Sequence, residues 1–189
     1  MTKPSSDPRR LFLCNTGKLA LAGALLPLSA RPAFAALATL PEARSLAFDH
    51  THTGERIAIV YAVGEQFVPE ALAALNRFLR DHYSGEVGMI DPQLFALLYR
   101  LKQTLSCESP FQVISGYRSP ATNAHLRKTR GGGVASHSLH MDGKAIDIRL
   151  PGVSLVDLRD AALSLRGGGV GFYPQEQFVH ADTGRVRNW

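Results

Sequence analysis

The sequence predicts a small single α+β domain in which helices pack against a mostly antiparallel sheet. Three observations carry that prediction. Two segments repeat apolar residues at helical spacing, Leu72, Leu75, Phe78 and Leu79 in one and Leu94, Leu97, Leu98 and Leu101 in the other. Later segments are short apolar or alternating runs bounded by glycine, the pattern of strands. Once an N-terminal address of 35 residues is set aside, 154 of the 189 residues remain, enough for one domain with a single core.

The elements follow in order. Leu46 and Phe48 alternate with polar neighbours, Thr53 and Gly54 supply a turn, and Arg56 to Tyr61 reads as a returning strand, so the domain opens with a hairpin. Pro69 starts a helix expected to end near Gly85. Asp91 and Pro92 are the cap and first-turn pair of a second helix. Phe111 to Ile114 is a short strand, followed by the loop Ser115-Gly116-Tyr117-Arg118-Ser119 and a short polar helix from Pro120 to about Lys128. The run Gly131 to Gly133 marks a mobile loop. A strand from Lys144 to Leu150 comes next, then a helix opened by the capping box Ser154-Leu155-Val156-Asp157. Two last strands are read at Val170 to Tyr173 and Phe178 to Asp182.

Residues 1–35 have the three parts of an export signal. A polar, basic start contains Arg9-Arg10-Leu11-Phe12-Leu13, an apolar run extends from Leu19 to Leu28, and Arg31-Pro32 leads to the small-residue site Ala33-Phe34-Ala35. Cleavage is expected after Ala35. The apolar run is about ten residues against the roughly 20 needed to span a bilayer, so no permanent membrane anchor is expected. The paired arginines before Leu-Phe-Leu resemble a twin-arginine signal, which implies the twin-arginine export machinery as a partner and the periplasm as destination. Cys14 precedes the apolar run, where a lipidated cysteine should follow it, and is expected to be discarded.

Dividing the chain changes the meaning of its formal charge of +5. Residues 36–189 hold 16 basic and 15 acidic side chains, so nothing electrostatic points to a nucleic acid. At 45% hydrophobic and 20% charged residues the chain is too apolar and too balanced to be disordered. One cysteine, Cys107, remains in the domain, which excludes an intramolecular disulfide there and reads as a small buried side chain. All seven histidines lie after residue 35.

The chemistry concentrates in Ser138 to Ile148. Alternation places Ile146, Ile148 and Leu150 on one strand face and Ala145, Asp147 and Arg149 on the other, in a segment too apolar for a solvated edge. A carboxylate there needs a partner. His140, across the turn that Gly143 permits, and His180, on a strand face with Phe178 and Asp182, would complete two imidazoles and one carboxylate around a divalent ion with a fourth position for water. That is the ligand count of a catalytic zinc site, which acidifies the water and polarises a carbonyl, as amide hydrolysis requires. From spacing alone the alternative stays open that Asp147 pairs with Arg118 or Arg149 while the histidines cap loops.

The pattern Ser138-x-His140-x-x-Gly143-x-Ala145-x-Asp147 resembles the signature of zinc peptidases of the M15 type, which include D-Ala-D-Ala carboxypeptidases and dipeptidases. The loop Ser115 to Ser119 resembles that family's arginine loop, and His180 its third ligand. Gly116 to Pro120, Gly168 to Pro174, Phe178 to Gly184 and the terminal Arg187-Asn188-Trp189 are similar to one envelope branch, formerly called DUF882, that includes a murein endopeptidase. Over roughly residues 40–189 the resemblance implies the D-Ala-D-Ala carboxypeptidase or hedgehog-like zinc fold and Zn2+ held by His140, Asp147 and His180. It also implies peptidoglycan stem peptides as substrate, with cleavage of their cross-links through a metal-activated water. A D,D-carboxypeptidase or dipeptidase of the same family, and a zinc-containing peptidoglycan-binding module without turnover, are the competing readings.

Arg118 would bind a terminal carboxylate or the oxyanion. Many M15-type enzymes carry an acid three residues before the last histidine ligand, where this chain has Gln177. Asp182 is the preferred carboxylate, as base or as the partner orienting an imidazole, with His137 and Glu176 as the other candidates. His50 and His52 are placed at the hairpin tip, and His82 and His125 are read as solvated helix residues.

Overall fold

The computed structural model describes residues 37–129 and 134–189. The signal segment through Ala35, Cys14 and the Gly131 to Gly133 run lie outside the described residues. Eight strands form one mixed sheet: β1 (Ala43–His50), β2 (Arg56–Val63), β3 (Gln66–Phe67), β4 (Phe111–Ser115), β5 (Ala145–Arg149), β6 (Gly169–Tyr173), β7 (Phe178–Asp182) and β8 (Arg187–Asn188). Their spatial order is β3-β2-β1-β4-β5-β7-β6-β8. Neighbours are antiparallel except β1 with β4 and β6 with β8. The described helices are α1 (Pro69–Phe78), α2 (Pro92–Leu105), α3 (Pro120–Thr129) and α4 (Leu155–Leu165).

The expected α+β domain is therefore the observed one, and its caps are those read from the sequence. Asp91 Oδ1 accepts the Gln93 amide at 2.9 Å to start α2, and the Ser154 side chain accepts the Asp157 amide to start α4. The differences have identifiable causes. Helix α1 stops at Phe78 because the Asp81 carboxylate accepts the Tyr83 amide at 2.9 Å and closes a turn instead of continuing the helix. His82 consequently lies on that turn and not on a helix, whereas His125 is exposed on α3 as expected. The two-residue strands β3 and β8 have no periodicity of their own and exist through their pairing with β2 and β6.

The sheet has two faces with different fates. Ile146, Ile148, Val179 and Ala181 join Phe48, Leu75, Phe95, Leu98, Phe111 and Leu158 in one core packed by α1, α2 and α4. Alternation sends their neighbours Asp147 and His180 to the opposite face. Registry makes those two residues direct partners across β5 and β7, a position in which side chains meet.

Two long-range ties position the loops over that face. The Asp91 amide donates to the Gly143 carbonyl at 2.9 Å, and the Thr183 hydroxyl donates to Asp91 Oδ2 at 2.7 Å. Gly143 turns the chain with φ +65°, and a Cβ there would lie 1.9 Å from the Met89 carbonyl oxygen, so this turn requires glycine.

Candidate metal centre

The three expected ligands are brought together. His140, Asp147 and His180 are all buried, and each offers a ligand atom within 4.8 Å of the others. His140 Nε2 lies 3.3 Å from Asp147 Oδ1, and His180 Nδ1 lies 2.9 Å from the same oxygen. A tetrahedral ion with bonds of about 2.0–2.1 Å needs donor atoms roughly 3.3 Å apart, so the donor set and its spacing fit such an ion.

The rear nitrogen of each imidazole is held. His140 Nδ1 donates to the Gly116 carbonyl at 2.7 Å, and the Arg118 amide donates to the His140 carbonyl at 3.2 Å, so the arginine loop and the His140 loop lock each other. His180 Nε2 faces Asp182 Oδ2 at 3.1 Å. These contacts engage the outer nitrogen of each ring and leave His140 Nε2 and His180 Nδ1 directed at Asp147, where a bound ion would take the place of the proton that His180 Nδ1 shares with that carboxylate.

Asp182 is brought to the centre but behind it. Its side chain is 0% exposed, accepts the amides of Gly169 at 2.9 Å and Gly184 at 2.8 Å, and pairs with Arg187 Nη2 at 2.8 Å. Burial opposes its ionisation, but His180, Arg187 and the two amides outweigh burial and hold the carboxyl well below the usual range. Asp147 is likewise depressed: burial pushes it up and the two imidazoles pull it down further. For His180, burial favours the neutral ring, yet hydrogen bonds to Asp147 and Asp182 raise its pKa to about 9. Two ionised carboxylates flanking one imidazole make a pocket that calls for positive charge.

A cleft of about 340 Å³ opens over these groups, lined by Arg118, His137, His140, Asp147, His180 and the aromatic residues Tyr173, Phe178 and Trp189, among others. A smaller cavity of about 50 Å³, lined by His52, His82, Tyr83 and Tyr117, shares Arg118, Asp147 and Phe178 with it. Arg118 thus borders both. Its Nη2 is 3.9 Å from Asp147 Oδ2 and its Nη1 3.4 Å from Asn123 Oδ1, so Asp147 has the arginine and both histidines as neighbours, with the imidazoles nearer.

His137 is exposed on the cleft wall. Glu176 and Gln177 are exposed on the β6–β7 turn, outside the lining of either cavity, and the Gln177 side chain donates back to the Pro174 carbonyl. His50 and His52 are at the hairpin tip as expected, but His50 is buried and pushed to a pKa of about 4, first by burial and then by His82 and His52. The His52 ring stacks on His82 at 4.2 Å. Cys107 is half-buried, with its Sγ 3.8 Å from the Pro151 carbonyl.

Sequence reasoning assigned no role to Arg187 or Trp189 and missed Tyr173. The signal that points to them is the alternation Gly169-x-Gly171 on β6. A Cβ at 169 would meet Arg187 Nη1 at 2.3 Å and Asp182 Oδ2 at 2.5 Å, and one at 171 would meet the Trp189 ring at 2.7 Å. Both glycines clear space for side chains at the centre.

The profile of a family described as "Peptidoglycan L,D-endopeptidase MepK" matches residues 38–189. Proteins called "Peptidoglycan L,D-endopeptidase MepK" from Escherichia coli strain K12 and from Shigella flexneri are each 46% identical over 183 residues, covering 97% of this chain and 98% of theirs. A relative from Haemophilus influenzae is 40% identical over 173 residues, 90% of this chain and 92% of its own. The resemblance read from the His140 and Asp147 motif is thereby upheld along nearly the whole chain, and the protein belongs to the MepK family of M15-type peptidoglycan peptidases.

Proposed function

We propose that the protein is a zinc-dependent endopeptidase that hydrolyses an L,D-amide in the peptide cross-links of peptidoglycan. The observation that carries this reading is the trio His140, Asp147 and His180, in which both imidazoles have their outer nitrogens held and their inner nitrogens directed at one carboxylate. Two neutral imidazoles and a carboxylate suit zinc and leave room for water and substrate. When bound there, the ion supplies Lewis acidity, lowering the pKa of a water and polarising the scissile carbonyl.

The chain's own residues supply the rest. Arg118, which lines the cleft beside Asp147, holds a substrate carboxylate or the carbonyl oxygen as negative charge grows on it. Asp182 orients His180 and, with its acceptor positions occupied by Arg187 and two amides, is not the proton acceptor for the water. His137 is the candidate that faces the cleft, and it moves the proton to the leaving amine. The cleft over the centre, at about 340 Å³, has room for residues flanking the reacting bond, which supports an endopeptidase, as do the names of the relatives. Residues 1–35 direct export through the twin-arginine machinery to the periplasm, with cleavage after Ala35.

The test is incubation of the purified protein with defined muropeptides, with and without chelator, followed by mass identification of the products. Zinc-dependent conversion of cross-linked dimers to monomers, lost in His140→Ala, is the expected result. Release of only a terminal residue would establish the carboxypeptidase instead. Binding of muropeptide with no product under any metal condition would establish a non-catalytic module.

A further inference from the structure

We infer that Trp189 is the wall of a substrate subsite immediately beside the candidate metal centre, where its indole face takes the aliphatic part of a stem-peptide residue next to the scissile bond. This rests on the proposed reaction and names a contact within it. Trp189 is 50% exposed and lines the cleft, with its ring centroid 5.2 Å from that of His180. A large aromatic left half in water is ordinarily costly apolar surface, yet this one is built in place rather than loosely hung.

Four contacts fix it. The indole N–H donates to the Tyr173 hydroxyl at 2.7 Å, the Trp189 amide donates to the Val170 carbonyl at 3.3 Å, and the Phe172 amide donates to the Trp189 carbonyl at 3.0 Å. The Arg187 guanidinium lies 4.9 Å from the ring centroid. Gly171, which pairs with His180 across β6 and β7, leaves the space in which the ring lies beside that histidine. With its only polar group satisfied, the indole offers the cleft an apolar face. Phe178 and Tyr173, stacked at 4.6 Å, extend that surface along the same cleft.

What meets this face follows from its position. A ring in contact with a ligand-bearing histidine is next to the reacting bond, so the group on it belongs to the peptide residues flanking that bond and not to the more distant glycan. Methyl and methylene groups are what an indole face and its aromatic neighbours hold through burial and dispersion.

The chain contains one tryptophan, so its intrinsic tryptophan fluorescence reports this residue alone. The full-length, zinc-loaded protein is titrated with a free, uncross-linked murein stem tetrapeptide, with a parallel titration using the free disaccharide. A saturable change in tryptophan emission with the peptide, and none with the disaccharide, is expected. Cross-linked substrate kinetics are measured for Trp189→Phe and Trp189→Ala. The alanine variant should raise KM roughly three- to tenfold with kcat within about twofold, and phenylalanine should recover most of the loss. Normal turnover with unchanged emission at saturating peptide would overturn the subsite, as would emission that responds to the disaccharide alone. A fall in kcat with KM unchanged would make Trp189 a positioning residue for His180 and also overturn it. An emission change without turnover of any substrate would leave the subsite standing and defeat the proposed reaction instead. If the alanine variant does not fold, the wild-type titration and the phenylalanine variant decide.

Discussion

Asp182 Oδ2 sits 3.1 Å from His180 Nε2, on the opposite edge of the imidazole from Asp147. That relationship decides which nitrogen of His180 is available to a cation. An amide in place of the carboxylate presents its NH2 to Nε2 and favours the tautomer with its proton on Nδ1, the wrong atom. Asp182→Asn is expected to keep the fold, because its Oδ1 can still accept from Gly169 and Gly184, while zinc affinity falls about 10- to 100-fold. Competition with a fluorescent zinc chelator measures the loss.

Removing the metal should affect folding as well as activity. A cation that binds only the folded chain stabilises it by about 4 kcal/mol at a free concentration 1,000 times its dissociation constant. Chelation is expected to abolish muropeptide cleavage and lower the thermal midpoint, and added zinc should restore both in one titration.

Arg118→Lys keeps the charge and loses the planar fork. If Arg118 holds the oxygen on which charge develops, kcat/KM should fall about 100-fold even though lysine is also cationic. Circular dichroism should be unchanged, since lysine keeps a positive charge beside Asp147 and the backbone bond from residue 118 to the His140 carbonyl is untouched.

Asp81 is the pH-sensitive anchor of the arginine loop. It is buried, accepts the Ser119 amide at 2.9 Å, and is brought to a pKa of about 2: burial opposes ionisation, and hydrogen bonds from Thr122, Ser119 and Tyr83 outweigh burial. A carboxyl whose folded pKa lies below its unfolded value of 3.8 contributes stability above that value, lost as pH falls through about 2. The contribution is about 2 kcal/mol. Urea unfolding at pH 6 and near pH 2 should show a smaller loss on acidification for Asp81→Asn than for the wild type.

Two glycines with positive φ should respond very differently to alanine. At Gly143 the new Cβ would lie 1.9 Å from the backbone oxygen of Met89, which cannot yield, and about 3 kcal/mol or more of stability should be lost. At Gly152, with φ +88° and open space around it, only backbone strain of about 1 kcal/mol is expected. Thermal denaturation of both variants tests the contrast.

Much of the architecture was legible because it is local. Periodicity located Leu75 and Leu98 on core helix faces, Asp91 and Ser154 announced their caps, and alternation separated Asp147 from Ile146 and Ile148. The end of α1 is not legible in its periodicity, because the Asp81 carboxylate that closes the turn on the Tyr83 amide is itself fixed by the Ser119 amide, 38 residues away.

By itself, then, the sequence determined the α+β class, the family and the cluster of His140, Asp147 and His180, since spacing within strands and a short signature carry that information. Tertiary structure alone decided which candidate faces the cleft and which sits behind it. The sequence favours Asp182 over His137, but β7 registry buries the first behind His180 and a loop exposes the second. It also brought Arg187 and Trp189 to the centre through a two-residue strand held by β6, where two absent side chains make room. Contacts of that kind are set by pairing between distant segments, and a local pattern such as Gly169-x-Gly171 marks the space without showing what fills it.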